Sequence, residues 1–176
     1  MNASPDPVDD PDRYRELVLS YLGADYPVGV QTLTLTELRV TVDEAGESLR
    51  ERPAKGEWSV LEVAGHIADS EMVRAARYRW ILAHDEPSLI GFDQNLWVEA
   101  LAHNGDDPAL MLDAFEALRR ANLDLWGRTP AAGRERVGMH EERGPESFDL
   151  SFRLAAGHDL LHLEQARRSL EAVRSR

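Results

Sequence analysis

The chain has 176 residues, of which 43% are hydrophobic, enough for one ordinary domain with its own core. It contains no cysteine, which excludes disulfides, cysteine-ligated zinc, iron–sulfur clusters and a thiol nucleophile supplied by the protein itself. The formal net charge of −12 disfavours nucleic acid as a partner. The N-terminus lacks the features of a signal sequence and no run approaches the ~20 apolar residues of a membrane span, so we expect a cytoplasmic protein without membrane contact.

The first helices follow a proline-rich lead-in. Residues 1–11 carry three prolines and three aspartates, which predicts disorder, and residues 12–176 are interpreted as a single helical domain. Apolar residues then recur at helical spacing from Tyr14 to Tyr21. The next segment is rich in Thr and Val and alternates in part as a strand would, but its leucines and valines also fit a helical period. We predict a helix over 35–50.

A long helix begins at Ser59, where the sequence contains a capping box. Ser59 can cap the first turn while Glu62 reaches back to the amide of the cap. Its apolar stripe continues to Leu82. The arginines of the same helix, such as Arg74 and Arg77, alternate with carboxylates along the helical pattern and predict a solvated helix face. About twenty residues without a settled period then extend to Asp107. They predict a long loop, of a kind that is often functional.

The last two predicted helices complete a bundle. Asp107 is a candidate N-cap, followed by proline at the first helical position. Residues 127–146 are rich in glycine, proline and charge and predict a connector. The final helix covers about 148–173. Because no segment shows convincing strand periodicity, we predict an all-α fold, an antiparallel four-helix bundle.

Three histidines are candidate ligands of one divalent metal ion. His158 and His162 are one helical turn apart on the same face, about 6 Å apart at Cβ. Their neighbours on that face are mostly apolar, so the ring nitrogens need partners. His66 lies on the other well-capped helix, and bundles build sites from inward side chains of facing helices. Three neutral imidazoles with an open fourth position favour a catalytic zinc or nickel site, although a surface pair and a core histidine fit the same pattern.

Three polar residues near the candidate ligands have more than one possible role. Asp69 and Gln165 could orient the imidazoles by hydrogen bonds. Glu71 falls inside the apolar stripe of its helix, where it would be either a buried base or the structural partner of an arginine.

The remaining candidates lie in the loops. Phe92 and Trp97 either roof a pocket over the metal or anchor the long loop to the bundle. His140, in the connector, could approach the metal. The other two histidines, His84 and His103, are expected to be solvated.

Two motifs together resemble the DinB/YfiT-like superfamily, over about residues 35–170. The first reads Trp58-Ser59-x-x-Glu62-x-x-x-His66-Ile67-x-Asp69-x-Glu71, and the second reads Gly157-His158-Asp159-x-x-His162-Leu163-x-Gln165. The resemblance implies a four-helix bundle, often dimeric, with a metal on His66, His158 and His162. Members of the superfamily include transferases or isomerases that use bacillithiol, mycothiol or glutathione, and candidate metal-dependent hydrolases.

Three kinds of function fit these features. The first is a metal-dependent transferase or hydrolase acting on a small molecule, with an open coordination position. A transferase of this kind would take a low-molecular-weight thiol as cosubstrate, because the chain has no cysteine. The second is a non-catalytic, metal-stabilised bundle with a closed site and no pocket. The third is a stress-related interaction module that binds a protein partner through the long loop and an acidic face. The resemblance also predicts a homodimer.

Overall fold

The computed structural model describes residues 10–176 and confirms the predicted four-helix bundle. The bundle consists of the four longest helices, α2, α3, α5 and α7. The helices in chain order are α1 (Pro11–Leu22), α2 (Pro27–Ala45), α3 (Val60–Ala83), α4 (Gln94–Ala100), α5 (Pro108–Arg128), α6 (Ala131–Arg134) and α7 (Phe148–Arg174). The strands are β1 (Ser88–Leu89), β2 (Val137–His140) and β3 (Gly144–Ser147), and two short 3₁₀ helices cover Gly46–Arg50 and His103–Gly105.

Neighbouring helices of the bundle run antiparallel in two pairs and parallel in two, so the predicted antiparallel arrangement applies to only half of the pairs. Helix α7 is antiparallel to α3 and parallel to α2, and α5 is antiparallel to α2, so α3 and α5 point the same way. This arrangement needs one long connection, residues 84–107, which returns along the bundle before α5 begins. Contacts of Tyr78 with Phe148 and of His66 with His158 show that α3 and α7 are antiparallel. Contacts of Gln31 with Phe152 and of Glu37 with Arg167 show that α2 and α7 are parallel. Contacts of Gln31 with Arg119 and of Arg39 with Asp113 show that α2 and α5 are antiparallel.

Helix α2 begins eight residues before the predicted start, so the prediction of a helix from residue 35 was wrong at that end. Pro27 occupies the first helical position, where its missing N–H costs nothing. The helix accommodates threonines, which favour strands, because their hydroxyls donate to backbone carbonyls one turn earlier. The Thr34 hydroxyl, for example, donates to the carbonyl of Val30 at 2.9 Å. The last predicted turn, Gly46–Arg50, is a 3₁₀ helix.

Both predicted loops contain regular structure that the sequence analysis missed. The connection after α3 includes α4, and the connector after α5 contributes two strands. Strand β1 pairs in parallel with β2, and β2 pairs antiparallel with β3. Strands of two to four residues are too short for an alternating pattern to appear in the sequence. The resulting three-stranded sheet lies beside the start of α7, which directly follows β3.

Helix α1 packs closely along α7. The predicted disordered segment, residues 1–11, lies outside the described residues except for its last two, of which Asp10 caps α1 and Pro11 begins it. A Cβ atom on Gly157 of α7 would lie 2.0 Å from the carbonyl oxygen of Val18, so only glycine permits this approach. Among residues 10–176, the helices lack the combination of length and apolar composition that a membrane span requires.

Candidate metal centre

Local sequence signals place the three histidines on facing helices. The predicted capping box is confirmed: the Ser59 hydroxyl accepts from the amide of Glu62, and the Glu62 carboxylate accepts from the amide of Ser59 at 2.8 Å. This fixes the start of α3, and His66 follows two turns later on the side that faces α7. His158 and His162 occupy successive turns of α7. The histidines predicted from the sequence therefore meet between two rigid helices.

The three imidazoles form a compact buried cluster. Nε2 of His66 lies 3.0 Å from Nε2 of His158, and one ligand atom from each of the three residues lies within 4.8 Å of the others. Each residue is at most 4% exposed. A divalent ion bound at about 2.0–2.1 Å from each nitrogen needs donor atoms a few ångströms apart, as they are here.

The hydrogen bonding of His162 leaves one of its ring nitrogens available to bind a metal ion. Nδ1 of His162 donates to the side-chain oxygen of Gln165 at 2.7 Å, so the neutral ring presents a lone pair at Nε2. That Nε2 is buried and has no hydrogen-bond partner within residues 10–176. An orphaned acceptor of this kind is costly unless a ligand satisfies it. Of the two residues expected to orient the imidazoles, Gln165 therefore contacts a candidate ligand, whereas Asp69 is bonded elsewhere.

The cluster is held in its neutral form. Burial lowers the pKa of His66 and His158 well below the ordinary value, and the positive charge of Arg74 adds to the effect at both. Burial also lowers the pKa of His162 to about 4, even though the bond to Gln165 opposes the shift. Neutral imidazole is the form that binds a metal, so no proton has to be displaced near pH 7.

Aromatic side chains pack against the cluster. The Trp58 ring lies 5.2 Å from the His66 ring and is nearly parallel to that of His162. The Phe92 ring lies 6.1 Å from the His66 ring, and the Trp97 ring packs against the Phe92 ring at 4.6 Å. Phe92 therefore lines the site itself, while Trp97 supports it from behind.

A cavity of about 70 Å³ opens from the cluster to solvent. His66 and His158 form part of its lining, together with Phe92 and residues of the β2–β3 hairpin. His140, which was expected to approach a metal, also lines this cavity but does not belong to the three-histidine cluster found within residues 10–176. A small molecule entering the cavity would meet two of the three imidazoles.

The remaining histidines differ from each other. His84 is exposed at the end of α3, as predicted. The expectation that His103 is solvated was wrong: it is 5% exposed, with Nε2 2.7 Å from Asp69 and Nδ1 2.7 Å from Asp106. Gly65 makes room for this ring, because a Cβ there would lie 2.7 Å from its Cγ. Burial lowers the pKa of His103, but the two carboxylates outweigh burial, so the pKa is raised.

Glu71 is the structural partner of an arginine, which was one of the two roles considered for it. Its Oε2 lies 2.9 Å from Nη2 of Arg119, and its Oε1 accepts from Asn122 at 2.8 Å. Arg119 is fully buried and also donates to both carboxylate oxygens of Asp159. The network ties α3 and α5 to the residue that follows His158, and so it steadies one candidate ligand.

Two arginines expected on a solvated face instead line the cavity. Arg77 is only 6% exposed, and Arg74 lies one turn before it on α3. A signal was present in the sequence, because His66, Ser70, Arg74 and Arg77 recur every three or four residues and so share one face of the helix.

The sequence matches a known family and a relative over most of its length. The family model for the DinB superfamily matches residues 32–166. A protein of Oceanobacillus iheyensis, named as a candidate metal-dependent hydrolase, is 27% identical over 122 residues, which cover 69% of this chain and 70% of the relative.

The fold also matches a solved structure. YfiT from Bacillus subtilis, described as a candidate metal-dependent hydrolase with an unusual four-helix bundle topology, superimposes with a TM-score of 0.76. The match covers 85% of each chain at 20% sequence identity, so it concerns the fold alone.

Proposed function

Since this chain belongs to the DinB superfamily, we propose that it is an enzyme that binds one divalent metal ion through His66, His158 and His162 and hydrolyses a small molecule. The observation that carries the proposal is a cluster of three buried, neutral imidazoles, two of which line an open cavity. The names of the relative from Oceanobacillus iheyensis and of the YfiT structure support the same class of reaction.

The residues present fit such a metal. Zinc and nickel both accept imidazole, and three protein ligands leave a coordination position open. When bound, the metal supplies Lewis acidity, which activates a water molecule for attack on an electrophilic substrate. Gln165 holds His162 in the tautomer that presents Nε2, and the rings of Trp58 and Phe92 limit the access of bulk water.

The cavity distinguishes the catalytic proposal from the alternatives. A metal that served only to stabilise the bundle would be expected in a closed site, yet the cavity reaches the imidazoles. The same open cavity also supports a second candidate, a transferase that takes a low-molecular-weight thiol as cosubstrate because the chain has no cysteine of its own. The homodimer implied by the resemblance is a separate proposal, which analytical ultracentrifugation of the full chain tests.

Activity assays on metal-reloaded protein test the two reactions. Protein stripped with a chelator and reloaded with zinc or nickel is assayed against a panel of esters and amides, and against an electrophile with glutathione, bacillithiol or mycothiol. Hydrolysis that depends on added metal and is lost in His158→Ala supports the first candidate, and thiol consumption with the same dependence supports the second. Exposed His84→Ala is the matched control. Activity that survives metal removal would contradict both.

A further inference from the structure

The geometry points to a binding site for an anionic oxygen group, a carboxylate or a phosphate, on the wall of the cavity formed by Arg74, Arg77 and His140. This inference deepens the proposed function by naming a substrate class, and it rests on that function only in taking this cavity as the substrate site. The site is independent of the metal ligands, because none of its three residues belongs to the histidine cluster.

Three nitrogen donors at this wall have no acceptor. Nη1 of Arg74, Nε of Arg77 and Nε2 of His140 are all buried without a hydrogen-bond partner in the described part of the chain. For His140 the tautomer follows from its other nitrogen: Nδ1 accepts from the amide of Glu142 at 3.2 Å, so the proton of the neutral ring is on Nε2. All three of these unpartnered atoms are hydrogen-bond donors. They therefore favour a ligand that only accepts hydrogen bonds, as an ionised carboxylate or phosphate does.

The cavity is positively charged although the protein is strongly acidic. Its described lining contains four arginines against two glutamates. Two of the arginines are neutralised locally, since Arg143 pairs with Glu146 at 2.9 Å and Arg15 with Asp12 at 2.8 Å. The other two, which belong to the proposed site, form no ion pair within residues 10–176. The lining has one remaining carboxylate, Glu142, against these two arginines, so this wall carries net positive charge in a chain of net charge −12.

The buried Arg119 differs from Arg77 in being paired with carboxylates. Arg119, which is fully buried, has a carboxylate on each side, Asp159 and Glu71. Arg77 is nearly as buried, but it donates a hydrogen bond to the backbone carbonyl of Ile90 and forms no ion pair within residues 10–176. Burial and the nearby charges of Arg143 and Arg74 lower the pKa of Arg77 to about 10, although the charges of Glu146 and Glu142 oppose the shift. A buried cation that forms no ion pair is destabilising, so its retention favours an anionic ligand.

The position of the arginines sets where the rest of the ligand lies. Arg74 is eight residues after His66, so their Cα atoms are separated by about 12 Å along α3. Long side chains on a helix lean toward its N-terminus, which directs Arg74 back toward the histidine cluster. The positive charge of Arg74 acts on all three histidines of the cluster. A small substrate held by its anionic group would therefore place its other end beside the candidate metal ligands.

Calorimetry with two simple anions tests the site without any reaction. Propionate and inorganic phosphate are titrated separately into the full-length protein in a low-chloride buffer, first metal-loaded and then after metal removal. The test variant is Arg74→Gln. The matched control is Arg120→Gln, which removes the same charge from a side chain that is 68% exposed and outside the cavity. Thermal melting without anion checks folding, and because Nη1 of Arg74 has no partner to lose, Arg74→Gln should melt at or above the wild-type temperature.

We expect the wild type and Arg120→Gln to bind one of the two anions with and without metal, and Arg74→Gln to bind it at least about tenfold more weakly. The anion preferred by the wild type then decides between a carboxylate and a phosphate. Equal binding by Arg74→Gln, binding that disappears with the metal, or no binding of either anion would overturn the inference. The metal content of the same samples separates the two proposals: a metal site without anion binding removes only this inference, and anion binding without a metal site removes only the proposed function.

Discussion

Replacing Arg119 with methionine should destabilise the protein severely. The guanidinium of Arg119 is fully buried and lies between Asp159, which accepts two of its hydrogen bonds, and Glu71, 2.9 Å away. In Arg119→Met the two carboxylates stay buried without their cation. Breaking a buried ion pair by removing one partner costs about 3–5 kcal/mol, which corresponds to a fall in melting temperature of roughly 6–20 °C for a chain of this size.

The adjacent residue provides a matched control for this prediction. Arg120 also pairs with a carboxylate, Glu116, but its side chain is 68% exposed, so Arg120→Met should cost no more than about 1 kcal/mol. Urea denaturation at pH 7 measures both variants. The deficit of Arg119→Met should shrink as the pH falls, because protonation removes the uncompensated negative charge from the folded state. Equal stabilities of the two variants would refute the role assigned to the buried network.

Three further variants test packing, ligand orientation and charge. Gly157→Ala, whose Cβ would lie 2.0 Å from a carbonyl oxygen of α1, should lose about 1–3 kcal/mol in urea denaturation, whereas Gly29→Ala, with open space around it, should gain about 0.5–1 kcal/mol. Gln165→Leu removes the acceptor for Nδ1 of His162 and should weaken zinc binding about 10–100-fold in a chelator competition, and Gln165→Glu should retain most of the affinity. Because the pKa of His103 is raised, this residue stabilises the fold fully at pH values below its ordinary pKa of about 6.5. That contribution is lost as the pH rises through the raised pKa. The fall in melting temperature caused by His103→Gln should therefore be larger at pH 5.5 than at pH 9.

Each of these variants has an outcome that contradicts its premise. Equal effects of alanine at the two glycines would show that α1 does not pack tightly on α7. Zinc affinity unchanged in Gln165→Leu would mean that the amide does not set the tautomer of His162. A deficit of His103→Gln that is independent of pH would show that its carboxylate neighbours do not stabilise its charged form.

The sequence predicted the elements of the candidate site that depend on local patterns. The capping box at Ser59 and the one-turn spacing of His158 and His162 are both short-range features, and they placed these residues on the correct helices. His66 joined them because bundle sites draw ligands from facing helices, which follows from the general architecture. The family was also predicted correctly, from the two motifs that contain these residues.

Features that depend on contacts between distant segments were missed. The threonines of α2 are typical of a strand in the sequence. Packing against α7 and hydrogen bonds to carbonyls of their own helix stabilise the helical conformation instead. His103 looked solvated because its partner Asp69 is 34 residues away. His140 is positioned at the cavity by the pairing of β2 with β1, a strand of two residues about fifty positions earlier. Short-range periodicity carries no information about such pairings.

The most direct test of the central claim is the metal content of the purified, tag-free chain, measured by inductively coupled plasma mass spectrometry. The wild type and His84→Ala, which alters an exposed histidine, should carry about one equivalent of a divalent metal after reconstitution with zinc or nickel, and His66→Ala, His158→Ala and His162→Ala should each lose it. Full occupancy in any of the three variants, or no bound metal in the reconstituted wild type, would contradict a three-histidine metal centre.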